Sequence, residues 1–149
     1  MQTKSKSKEK RQKEKPIAAM APHVLLAEDD HEMRALLVRA LHRAGYEVVA
    51  CSNGVELLEH LGSYILREEE HEEIDLIISD IRMPGVTGLE ILEGLSKHDD
   101  FPPFILITAF GDAETHAEAE RYGALAMFDK PFDIDDLLAK VRKIVPPSE

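Results

Sequence analysis

The chain has 149 residues, enough for one domain with a real hydrophobic core. Hydrophobic residues make up 44% and charged residues 32%. No apolar run approaches the ~20 residues needed to span a bilayer, and the N-terminus lacks the apolar stretch of a secretory signal. The single cysteine, Cys51, excludes a disulfide scaffold and a cysteine-rich zinc site, and suits a reducing, cytoplasmic setting.

The net charge of −11 is unevenly spread. Residues 1–16 carry seven Lys/Arg against Glu9 and Glu14, whereas the rest of the chain carries 11 Lys/Arg against 27 Asp/Glu. An acidic body repels polyanions, which argues against nucleic-acid binding by the folded part and favours a cation or a basic partner. Residues 1–22 are rich in lysine and poor in apolar groups, so a basic disordered tail and linker is expected there. The domain proper is expected over 23–146, with a short C-terminal tail at 147–149.

The pattern then alternates. Val24-Leu25-Leu26-Ala27 reads as a buried strand. Asp30 caps a helix whose apolar face is Met33, Leu36, Leu37, Ala40, Leu41 and Ala44, stopped by Gly45. Tyr46 to Cys51 is rich in β-formers. Val55, Leu58, Leu61 and Ile65 mark one face of a second helix, and Leu76-Ile77-Ile78 a third strand. Leu89, Leu92 and Leu95 mark a third helix, and Phe104 to Ile107 a fourth strand. Residues 112–122 look helical, with only Ala113 and Ala117 as small apolar groups. Leu125 to Phe128 gives a fifth strand. A last amphipathic helix carries Ile134, Leu137, Leu138, Val141 and Val145 and ends at Pro146-Pro147.

Five strands alternating with five helices predict an α/β fold, a doubly wound parallel sheet covered on both faces. Ligands in such sheets bind at the carboxyl ends of the strands. There lie Glu28-Asp29-Asp30 after the first strand, Asp80 after the third, Thr108 after the fourth and Lys130-Pro131 after the fifth. Clustered carboxylates repel one another unless a divalent cation sits among them. All-oxygen ligation suits Mg2+. Lysine and threonine suit phosphoryl oxygens, and a carboxylate beside them can attack phosphorus to form an acyl phosphate.

Glu28-Asp29-Asp30, Asp80-Ile81-Arg82-Met83-Pro84-Gly85, Ile107-Thr108-Ala109 and Lys130-Pro131-Phe132 together resemble the receiver domain of bacterial two-component response regulators. The resemblance covers about residues 23–145. It implies a flavodoxin-like (βα)5 fold with strand order 2-1-3-4-5. It implies that Asp80 is the phosphoacceptor, with Thr108 the switch hydroxyl and Lys130 the lysine paired with the phosphate. Glu28, Asp29, Asp80 and the backbone carbonyl of Arg82 would hold Mg2+, Asp29 directly and Glu28 through water. It also implies a cis Lys130–Pro131 peptide. The partners implied are a sensor histidine kinase or histidine phosphotransfer protein, and a downstream protein docking on residues 109–128. A homodimer is a further option.

Two features depart from the family pattern. Met127 stands where an aromatic switch residue is usual, and the segment from Asn53 to Asp80 is about eight residues longer than expected, with the run Arg67 to Glu73 inside it. Met127 reads as edge-strand packing and the charge run as a solvated helix end. Three other readings stay open at this point: a phosphorylation-independent interaction module, an N-terminal receiver fragment of a larger regulator, and a flavin-binding protein of similar topology. Glu28-Asp29-Asp30 would repel a flavin phosphate.

Overall fold

A computed structural model describes residues 21–66 and 73–147. The elements are β1 (His23–Ala27), α1 (His31–Arg43), β2 (Glu47–Cys51), α2 (Gly54–Ile65), β3 (Leu76–Asp80), α3 (Gly88–Leu95), β4 (Phe104–Thr108), α4 (Ala113–Arg121), β5 (Ala126–Asp129) and α5 (Ile134–Ile144). All strand pairs are parallel, in the order β2-β1-β3-β4-β5. This is the doubly wound arrangement expected from the sequence. The Lys130–Pro131 peptide is cis.

The period-2 alternation of the strands assigns the helices to faces. Leu25, Ile77, Phe104 and Leu106 pack with α2, α3 and α4 through Leu57, Leu61, Ile91, Leu92, Leu95 and Ala119. Val24, Leu26, Ile78, Ile105 and Ile107 pack with α1 and α5 through Leu37, Leu41, Leu137, Leu138 and Val141. The central strands β3 and β4 are buried along their whole length, as a sheet covered on both faces requires.

Several details correct the sequence reading. In α2 the buried face is Gly54, Leu57 and Leu61, whereas Val55 and Leu58 are exposed. The cause is a close approach: a Cβ at Gly54 would meet the Val86 carbonyl oxygen at 2.1 Å, so the start of α2 presses against the loop before α3. In α1, Leu36 is 45% exposed and lies off the apolar face. In α3, Ile91 joins the core while Leu89 is only half-buried. In α4 the buried residue is Ala119, and Ala113 and Ala117 face solvent. Strand β5 starts at Ala126, leaving Leu125 exposed.

Most of the basic tail lies outside the described residues. Its last two do not behave as linker: Ala21 is buried, and the Pro22 carbonyl accepts from the Glu47 N–H at the start of β2. The acidic run 67–73 also falls outside them except for Glu73, whose carboxylate lies 3.8 Å from His23 Nε2.

The helix N-termini converge on the carboxyl edge of the sheet. Asp30, Asn53, Thr87, Asp112 and Asp133 each cap a helix with a side-chain oxygen, and Thr87 forms a reciprocal capping box with Glu90. Crossovers that start this tightly leave the strand ends open to one another.

Candidate functional site

Glu28 follows β1 and is fully buried. Its side chain is pinned from two sides: Oε2 accepts from the Asp30 N–H at 3.0 Å, and Oε1 lies 2.8 Å from Lys130 Nζ. Asp80 ends β3 and is 3% exposed. Its Oδ2 accepts from Lys130 Nζ at 2.8 Å and its Oδ1 from the Arg82 N–H at 3.2 Å. Thr108 ends β4 and is also buried, with Oγ1 accepting from the Phe110 N–H at 3.1 Å. The Lys130 N–H donates to the Thr108 carbonyl at 2.7 Å, which sets the lysine beside β4 as it leaves β5. The side chains of Glu28, Asp80 and Lys130 from three separate strand ends therefore meet in one pocket, with the end of β4 bonded alongside through the Thr108 carbonyl.

Oxygens of Glu28, Asp29 and Asp80 all lie within 4.8 Å of one another. Three carboxylates thus face one ammonium. Burial, helped by the Asp80 carboxylate, holds the Glu28 carboxyl above its ordinary value despite the attraction of Lys130. Partial burial and the neighbouring Glu28 raise Asp29 as well. Burial pulls the Lys130 ammonium down, but its contacts with Asp80 and Glu28 outweigh this and hold it above its ordinary value.

These residues fit a hard divalent cation. The donors are all oxygen, they converge, and Glu28 Oε1 is buried with an ion-pair contact but no well-directed hydrogen bond. Asp29 is exposed and lies on the open side.

The sequence-predicted Glu28, Asp29, Asp80 and Lys130 are brought together, with Thr108 beside them. Arg82 contributes a backbone N–H to Asp80, and its guanidinium sits 4.3 Å over the Phe110 ring. Phe110 is 63% exposed, so this cation–π pair lies at the surface and links the loop after β3 to the loop after β4. Two other groups went unread in the sequence. Arg34 reaches the carbonyl of Glu28. His116 of α4 pairs with Asp129 of β5, with Nε2 3.0 Å from Oδ2. Gly111 lies against both, where a Cβ would fall 1.9 Å from Asp129 Oδ1 and 3.0 Å from His116 Nε2. Met127 is half-buried against the core, and with His116, Ala119 and Leu125 it lines a groove of about 280 Å³.

Residues 24–142 match the family model described as "Response regulator receiver domain". The chain is 32% identical over 127 residues to sporulation initiation phosphotransferase F of Bacillus subtilis (strain 168), covering 85% of this chain and 96% of that protein. It is 36% identical over 122 residues to the DNA-binding transcriptional regulator NtrC of Escherichia coli (strain K12), covering 82% of this chain and only 24% of that protein. Among solved structures it is similar to response regulator protein TrrA from Thermotoga maritima in complex with Mg(2+)-BeF. That match has a TM-score of 0.69 and 31% identity, and covers 83% of this chain and 99% of that one. With the family model spanning most of the chain and the strand-end residues assembled in one pocket, the chain belongs to the response regulator receiver domain family.

Proposed function

We propose that Asp80 accepts a phosphoryl group from a phosphohistidine of a sensor kinase or phosphotransfer protein, in a reaction that depends on Mg2+ held by Glu28, Asp29, Asp80 and the Arg82 carbonyl. The observation that carries this reading is the ion pairing of Lys130 Nζ with both Asp80 and Glu28. One cation already bridges Asp80 and Glu28, and an incoming phosphoryl group needs that charge beside it. An Asp80 oxygen forms the bond to phosphorus as the donor's P–N bond breaks, and the imidazole leaves with its electron pair and takes a proton. When bound, Mg2+ would neutralise charge on the phosphoryl oxygens. Lys130 holds one side of the group, and buried Thr108 at the end of β4 offers it a hydroxyl to hydrogen-bond. The same machinery supports self-phosphorylation from small phosphodonors and slow self-dephosphorylation.

Residues 23–146 are the receiver unit of this reading, with a basic tail before it whose last two residues, Ala21 and Pro22, pack against the domain, and 147–149 a short end. A cytoplasmic setting belongs to it, supported by the lone, buried Cys51. The output surface is residues 109–128. Phe110 and Leu125 are exposed there, and α4 buries only Ala119, so a change at Thr108 meets little resistance in the next helix. The acidic body leaves nucleic acid off its list of partners. A phosphorylation-independent module is not favoured, because the chain belongs to the receiver family and resembles a sporulation initiation phosphotransferase along most of its length. The test is intact mass after incubation with acetyl phosphate or phosphoramidate, with and without Mg2+. One phosphoryl adduct that requires Mg2+ is expected.

A further inference from the structure

Glu28 and Asp29 are consecutive residues in the short loop between β1 and α1. Two neighbouring carboxylates can share one ion only if the peptide units that carry them are held in one conformation. The Glu28 side chain has its own fixings in Asp30 and Lys130. Asp29 is exposed, so its direction rests on the loop backbone.

Arg34, in the first turn of α1, reaches back over that backbone. Its Nη1 donates to the Glu28 carbonyl at 2.8 Å and approaches the Asp29 carbonyl at 3.5 Å. Its Nη2 lies 3.2 Å from His31 Nδ1. Arginine has only donors, so His31 accepts here and steadies the guanidinium plane. We propose that Arg34 is a positioning residue for the divalent-cation site, fixing the two peptide units whose side chains supply donors. The proposal rests on the pocket being a Mg2+ site.

Two effects of Arg34 oppose each other. Its positive charge near the pocket repels a cation. Its charge-assisted bond to a carbonyl preorganises the donors, and such bonds are stronger than neutral ones. If repulsion dominated, removing Arg34 would tighten Mg2+ binding. If positioning dominates, removal weakens it, as losing a residue that orients a ligand typically costs about 10–100-fold in metal affinity. Arg39 lies on the same helix and is exposed, so it carries the same charge without the loop contact.

The test titrates the full chain with Mg2+ and follows the backbone amide shifts of Asp30 and Arg82. In the wild type a saturable shift is expected. Kd should rise from wild type to Arg34→Lys, which keeps the charge on a single donor nitrogen, and again to Arg34→Ala, by about 10–100-fold in all. Arg39→Ala should leave Kd within about twofold of the wild type, the scale of a screened surface charge. Equal or tighter binding by Arg34→Ala overturns the proposal. Should that variant fail to fold, wild-type affinity in Arg34→Lys overturns it instead. A wild type with no saturable response removes the cation site itself, a failure distinct from that of Arg34.

Discussion

Lys130 Nζ donates to Asp80 Oδ2 at 2.8 Å across 50 residues of sequence, and this one contact ties the end of β5 to the end of β3. The same ammonium reaches Glu28 Oε1, so it neutralises charge between two buried carboxylates. Those two roles make different demands on substitutions at the two residues.

Asp80→Asn keeps the shape of the side chain proposed to take the phosphoryl group and removes its charge. The variant should fold, since it relieves one of three mutually repelling carboxylates. It should form no phosphoryl adduct with acetyl phosphate and Mg2+ by intact mass. An adduct at wild-type yield would show that the nucleophile is another residue.

Lys130→Ala should cost stability as well as phosphorylation. It leaves Glu28 buried with no compensating cation. The loss should be about 2–3 kcal/mol, below the ~3–5 of a fully buried pair because Lys130 is partly solvated. Lys130 is held above its ordinary value, so the wild-type contribution is intact at neutral pH and disappears only as pH rises through that alkaline value. In the variant, acidification protonates Glu28 and should shrink the deficit. Urea unfolding of both proteins at about pH 7 and about pH 5 reads the difference. A deficit that stays constant between the two would mean that Glu28 is not the group left stranded.

Mg2+ should stabilise the native chain by mass action, about 2.7 kcal/mol when its concentration is 100 times Kd. The sign with pH follows from the raised carboxyls of Glu28 and Asp29. In the native state they hold protons at pH values where the unfolded chain has released them. Their contribution to metal-free stability therefore falls as pH rises through that window and recovers on acidification. Mg2+ competes with those protons, so its stabilisation should grow as pH rises through the same window. Asp29→Ala should abolish the Mg2+ response and raise metal-free stability, because one repelling charge is gone. Melting midpoints with millimolar MgCl2 and with EDTA, at two pH values, provide the check.

The site was legible in the sequence because its residues lie at the carboxyl ends of strands, and the buried strands among them announce themselves as short runs such as Leu76-Ile77-Ile78. Parallel pairing then brings all the strand ends to one edge, and Asp80, Thr108 and Lys130 meet without further instruction. Helix faces were harder to read. The stripe of Val55 and Leu58 in α2 is as apolar as that of Leu57 and Leu61, and the fold buries the second together with Gly54, which presses against the Val86 carbonyl. Arg34 was invisible for another reason. Its partner is a backbone carbonyl, which every residue carries, so no spacing in the sequence marks it. The pair of His116 and Asp129 links residues 13 apart through the start of α4 and the end of β5, a proximity that only the fold creates.

That pair bears on what moves. Helix α4 buries one small side chain and is joined to β5 by His116 and Asp129, which are 41% and 51% exposed. Thr108, just upstream, is the group expected to respond to the phosphoryl group. Phosphorylation should therefore change amide-exchange protection across residues 109–128 more than anywhere outside the pocket. Met127 has a flexible thioether in place of a ring, so several packings fit its groove and the two states should differ by a modest change in protection. His116→Ala removes the tether between α4 and β5. It should raise exchange across residues 113–121 in the unphosphorylated chain and so narrow the gap between the two states. Hydrogen exchange with and without beryllofluoride and Mg2+ measures both effects. Protection changes confined to the neighbourhood of Asp80 would move the output surface away from α4 and β5, and unchanged exchange in His116→Ala would leave α4 held by Ala119 alone.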